Sequence, residues 1–168
     1  MRKINWIANY RIVMISLFLF SGPYLQGEAR NPPADAAMNT SLLKQETLQT
    51  AFEHLQAAEV LESAYIGKAG APSENLQDLR IIIKSSEAEP TLFALYEKGN
   101  LTAKMYAIIG LQLLQKKDQA QALITDAQQF PEEKVTTIEG CLVFDRTVQE
   151  VLKAIEDGYY VESFGETR

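Results

Sequence analysis

Cysteine, histidine and tryptophan each occur once in this 168-residue chain, and that scarcity excludes several kinds of chemistry. A lone thiol, Cys141, cannot close an intramolecular disulfide, so packing must hold the fold. The expected state of Cys141 is a small buried hydrophobe, with an intermolecular disulfide or a reactive thiol as the alternative. Zinc sites take several His or Cys ligands, and His54 and Cys141 are the whole supply. A serine or cysteine hydrolase needs a histidine base, which would have to be His54. That residue falls inside a helical stretch, where a solvent-facing imidazole is the simpler reading. Positive charge is also short. Sixteen Lys and Arg stand against 22 Asp and Glu, for a net charge of −6. Binding a phosphate backbone takes a basic face, so no nucleic-acid partner is expected. Gly67-Lys-Ala-Gly70 is the nearest approach to a phosphate loop and lacks its spacing. No calcium loop with alternating Asp or Asn is present. The sequence therefore assigns no catalytic residue, no cofactor and no metal ligand.

Nor is any apolar run long enough to cross a bilayer, which takes about 20 residues. The longest, Ile12 to Phe20, follows Arg2, Lys3 and Arg11 and is broken by Ser21, Gly22 and Pro23. A basic start, a short apolar centre and small residues beyond describe a signal peptide. Gly27 and Ala29 place its cleavage after Ala29, so residues 1–29 are read as the signal. A retained anchor is the alternative, with Trp6 and Tyr10 at the interface. Without a cysteine near the cut, a lipoprotein anchor is excluded. Asn31-Pro-Pro opens an extended linker over residues 30–39. The expected location is periplasmic or secreted, with the export signal as the only membrane contact.

What is present is ordinary core material: 46% hydrophobic and 23% charged residues. From Thr40 the apolar positions recur at helical steps. Leu48, Ala51, Phe52, Leu55, Ala58, Leu61 and Tyr65 form one stripe, ended by Gly67 and Gly70. A second helix starts near Pro72 and Ser73 and carries Leu76, Leu79, Ile82 and Ile83 inward; Ile81-Ile82-Ile83 is alternatively a short strand. A third follows Pro90. Asn100 caps a fourth, from Leu101 to about Leu114, which is apolar on most sides and hence central. Gly110 in its middle points to close approach of a neighbour. A fifth helix carries Ala120, Leu123, Ile124 and Ala127. Val135 to Phe144 is the hardest stretch to read: Thr136, Thr137 and Val143 suggest extended backbone and Gly140 a turn. Asp145 or Thr147 starts a last helix through Ile155. The expectation is an all-α domain over residues 40–158, with about six helices in antiparallel hairpins. A tail over residues 159–168 either folds back on the last helix or serves as an extended peptide.

Three segments carry a resemblance. Tyr65-Ile-Gly-Lys-Ala-Gly-Ala-Pro-Ser73, Ala103-Lys-Met-Tyr-Ala-Ile-Ile-Gly-Leu111 and Val135-Thr-Thr-Ile-Glu-Gly-Cys141 look like a group of exported bacterial proteins of unknown function. That group resembles degenerate HEAT-type helical repeats. The likeness implies a HEAT-like stacked-helix array and offers no catalytic residues to carry over.

Three functions follow as expectations. The first is an exported, non-enzymatic scaffold or protein-binding module whose partner is a protein or peptide, since stacked hairpins present extended surfaces. The second is an immunity-type inhibitor that neutralises a toxin or hydrolase through an acidic face. The third is an enzyme using carboxylates, with Glu59 and Glu62 three apart on the first helix beside Glu53. A solvated helix face explains these three glutamates more simply, as it does Glu87, Glu89 and Glu132-Glu133.

Overall fold

The computed structural model describes residues 34–165, with side chains from Lys44 to Phe164. The expected signal peptide over residues 1–29, and the start of the linker, lie outside the described residues. The all-α expectation is overturned. Among the described residues, seven helices are joined by a four-stranded mixed sheet of order β2-β1-β3-β4. Helix α1 (Ala34–Ala57) leads into β1 (Val60–Ile66), which turns back through β2 (Ala71–Pro72). Four helices then follow: α2 (Glu74–Ile83), α3 (Ala88–Lys98), α4 (Leu101–Leu113) and α5 (Lys117–Ala127). They form the crossover to β3 (Lys134–Gly140), which lies parallel to β1. A tight turn gives the antiparallel partner β4 (Leu142–Thr147), and α6 (Val148–Glu156) and α7 (Tyr159–Gly165) close the chain.

The first helix therefore starts earlier than Thr40 and stops well before Tyr65. Its apparent continuation has a physical cause. The β1–β3 register slips between Glu62 and Ile66. That irregularity turns both Leu61 and Ala64 inward, at 0% and 8% exposure. A bulged strand thus turns residues three apart to the core, which keeps Leu61 in step with the helical stripe, whereas Tyr65, counted with that stripe from the sequence, is 57% exposed. Strands β3 and β4 are richer in the ordinary signals. Val135, Thr136, Thr137, Ile138 and Val143 are β-branched, which suits a pleated backbone.

The HEAT-like array is overturned with the all-α class. In a solenoid each repeat touches only its neighbours. Here α4 packs against all six other helices, except for lighter contact with some, and against β1 and β3, so one core surrounds it. Met105, Tyr106, Ala107, Ile108, Ile109 and Leu111 are all fully buried. Removing such aliphatic side chains from water contributes about 1.5–3 kcal/mol each. A Cβ on Gly110 would sit 2.6 Å from Leu92 Cδ2 and 3.1 Å from Leu79 Cδ1. Glycine is therefore what lets α2 and α3 close on this helix.

Local chemistry sets the helix starts. Ser73 Oγ accepts the Leu76 amide at 2.9 Å, and Asn100 Oδ1 accepts the Ala103 amide at 2.9 Å. Thr147 and Glu150 form a reciprocal capping box at the start of α6. The Ile81-Ile82-Ile83 triplet is helical, with Ile82 buried. Tyr96 fastens α3 to α5: its hydroxyl donates toward Leu123 O at 3.1 Å and Asp126 Oδ2 at 2.8 Å. The described part of the tail, Tyr159–Gly165, is itself a helix, α7, rather than extended peptide. Tyr160 and Phe164 are buried in the core with their rings edge to face at 5.7 Å, and Arg80 donates to Phe164 O.

Candidate functional site

The residues that the sequence offered for chemistry do not converge. Glu59 is exposed in the link after α1, and Glu62 lies on β1, so no helix face is shared by these two carboxylates. Glu62 accepts a 2.7 Å bond from Ser73 Oγ instead. Among the described residues no group of three or more metal-ligating side chains comes together. No helix among them is long and apolar enough to cross a membrane. Cys141 is exposed, against the expectation of burial, because it occupies the turn between β3 and β4 rather than a core position.

His54 has a partner that the sequence did not suggest. Its Nδ1 lies 3.3 Å from Asp78 Oδ2 across the α1–α2 seam, with the imidazole two-thirds exposed. The pair borders a shallow groove of about 310 Å³, which Glu46, Thr50 and Ile81 also line. Burial raises the Asp78 carboxyl above its ordinary value, and the neighbouring His54 offsets part of that rise. The Thr50 hydroxyl is turned back onto the Glu46 carbonyl. The groove thus holds one oriented imidazole on an open surface.

The sheet presents a different kind of site, built from its two edges. On one side β2 pairs only with Tyr65 and Ile66 of β1. Beyond it the Ser73 amide donates to Ala64 O at 3.1 Å, and side chains meet the groups nearer the start of β1. The Tyr106 hydroxyl accepts the Glu62 amide at 2.9 Å and donates to Val60 O at 3.2 Å. Asn75 Nδ2 donates to the same carbonyl. Burial pushes the Tyr106 phenol far above its usual range, so it stays a neutral donor. Buried strand edges need such partners, since an unpaired amide costs free energy.

The other side is open. Strand β4 is the last in the sheet and pairs with β3 through six consecutive positions without a register shift. Among the described residues its outer edge has no backbone neighbour. Leu142 and Val143 are 61% and 64% exposed, and Phe144 is 37% exposed. Gly140, at φ +58°, and Cys141 make the two-residue turn before them. Glycine with positive φ at the first central position is the requirement of a type II′ hairpin. The turn is braced from behind: Gly67 N donates to Gly140 O at 2.8 Å, and Gly140 N donates to Ser63 Oγ at 3.2 Å.

Cross-strand pairing fixes what each face of this hairpin shows. Glu139, Thr137 and Val135 lie opposite Leu142, Phe144 and Arg146, so these six share one face. On it Arg146 Nη2 donates to Glu139 Oε1 at 2.7 Å and the guanidinium lies over the Phe144 ring. Tyr159 of α7 stands beside this pair, its phenol raised by burial and by the Glu139 charge. On the opposite face, Thr136 Oγ1 donates to Asp145 Oδ1 at 3.0 Å, next to exposed Val143. An aromatic–arginine cluster beside a free apolar strand has the composition of an interaction surface rather than of a reaction centre. The sequence hints at extended backbone around Thr136 and Val143 were the available signal. They did not reveal that β4 would lie at an edge.

Comparison of the chain with known protein families, with curated proteins and with solved structures gave no match.

Proposed function

We propose that this protein is an exported, non-enzymatic protein-binding module that takes an extended partner segment along β4. The observation that carries the reading is the open edge: a six-residue strand in unbroken register whose first three residues are exposed and apolar. Soluble proteins usually blunt such an edge with lysine, proline, a bulge or a covering loop. The opposite edge of this same sheet follows that rule, and β4 does not. Strand addition supplies affinity through main-chain hydrogen bonds and selectivity through alternate side chains. Export is supported by the basic and apolar pattern of residues 1–29.

The test is capture of partners from the native envelope fraction by the wild-type chain and by Leu142→Lys/Val143→Lys. Both positions are exposed, so the double variant keeps its fold while placing two charges on the strand. The reading expects at least a tenfold loss of partner affinity. Equal capture by the two proteins would overturn it.

A further inference from the structure

Resting on that reading, we propose that the segment added to β4 is a second copy of the same strand, paired antiparallel about a two-fold axis through Val143. Closed two-fold dimers are the commonest soluble assemblies, and they require a patch complementary to itself. Of the registers centred on Val143, Phe144 and Asp145, the sequence of β4 meets that requirement in one.

A two-fold axis normal to a sheet keeps each protomer's faces aligned only when it passes through a residue, because side chains alternate with a period of two. With the axis at Asp145, two aspartates oppose each other directly, which is destabilising. With the axis at Phe144, Asp145 faces the aliphatic Val143 of the other copy and Arg146 faces its Leu142. Both charges then lose water without gaining a partner. With the axis at Val143, the valines meet each other and each Leu142 faces a Phe144. Asp145 and Arg146 fall opposite Cys141 and Gly140, the uncharged hairpin turn, of which Cys141 is exposed. All three exposed apolar residues are covered, and neither charge opposes a like charge or an aliphatic side chain. The placement of charge on β4 therefore favours this register for self-pairing. The result is a continuous eight-stranded sheet, four strands from each copy.

Disulfide trapping reads the register directly. In the full chain carrying Cys141→Ser, single cysteines are placed at positions 142, 143, 144 and 145. Across a central antiparallel pair the Cα atoms are about 4.5–5.5 Å apart, within disulfide reach. Cysteines one step off the axis face a different residue and lie beyond about 7 Å from each other. Val143→Cys is expected to form a covalent dimer at least tenfold faster than the other three variants. Trapping that is as fast at 142, 144 or 145 would overturn the register. Sedimentation equilibrium of the wild-type chain, which needs no substitution, is expected to show a monomer–dimer equilibrium. Because each copy is acidic, with a net charge of −6, dimerisation should strengthen from low to high ionic strength. A monomer at all concentrations up to the millimolar range overturns the second copy as occupant. If that monomer still loses a captured partner on Leu142→Lys/Val143→Lys, strand addition to β4 stands with a different occupant. If capture is also unchanged, both proposals fall.

Discussion

The two edges of the sheet solve the same physical problem in opposite ways. Along β1 the backbone groups that β2 does not reach are taken up by Tyr106 and Asn75, brought there by α4 and α2. Along β4 no described residue does so, and Leu142, Val143 and Phe144 are exposed beside backbone that has no partner among the described residues. A closed edge belongs to the folding of the protein, because leaving it unpaired destabilises the monomer. An open edge contributes little to that stability and is available for association. Substitutions at the first should therefore register in unfolding, and substitutions at the second in binding.

The largest effect is expected at Tyr106. Tyr106→Phe keeps the ring in the core but leaves the Glu62 amide and the Val60 carbonyl without the hydroxyl between them. Stability in urea should fall by about 1–3 kcal/mol, the range for an abandoned buried polar group. Hydrogen exchange at the Glu62 amide should rise with it. A loss under about 0.5 kcal/mol would show that the hydroxyl does not hold this edge.

Next comes the junction where β4 hands over to α6. Thr147 ends the strand, accepts the Glu150 amide at 3.2 Å, and has its own amide taken by Glu150 at 2.8 Å. Thr147→Ala should cost about 1 kcal/mol, as loss of an N-cap does. Bonding to Thr147 holds the Glu150 carboxyl below its usual range. A depressed carboxylate stabilises the fold above its unfolded pKa, and that contribution disappears as pH falls through the folded value. The deficit of the variant, measured by thermal unfolding, should accordingly shrink in acid. A deficit independent of pH would remove the carboxylate from the account.

How much of this could be read from the sequence depends on where each signal resides. Helix α4 was legible because its evidence is local: Asn100 as cap, apolar residues on most sides, and Gly110 in the middle. The start of α6 at Thr147 was legible for the same reason. Strand β1 was not, because Leu61 and Tyr65 follow Ala58 at helical spacing and so read as more of α1. Pairing of β1 with β3 joins Val60 to Thr136 across four intervening helices, and no local window contains that relation. Cys141 was misjudged since a small apolar side chain suggests a core, while a hairpin turn placed it outside. The candidate site was the least visible part. Leu142, Val143 and Phe144 look like interior residues, and only the order of strands shows that no described residue covers them.

A smaller effect is expected at α2, the helix that carries Asn75 to the closed edge. Asp78 on that helix has its carboxyl raised, chiefly by burial, from an ordinary value of 3.8. A raised acid favours the fold when protonated, so its ionisation near neutral pH works against stability. Asp78→Asn removes that ionisation and retains an acceptor for His54. At pH 7 the variant should be more stable by less than about 1 kcal/mol, given partial exposure of the pair. The gain should vanish once Asp78 itself is protonated in acid. A variant less stable than wild type at pH 7 would mean that the His54 interaction outweighs burial.

The smallest effect on unfolding is expected at the open edge, and there its smallness is informative. Leu142→Lys/Val143→Lys alters side chains that are already in water, so monomer stability should stay within about 0.5 kcal/mol of wild type. Chemical denaturation at low protein concentration measures this without a contribution from association. At high concentration the wild type should gain apparent stability by mass action while the variant does not. A large loss at low concentration would show instead that Leu142 and Val143 belong to the monomer's own core. The contrast between the two edges would then vanish, because both would be parts of one folding unit.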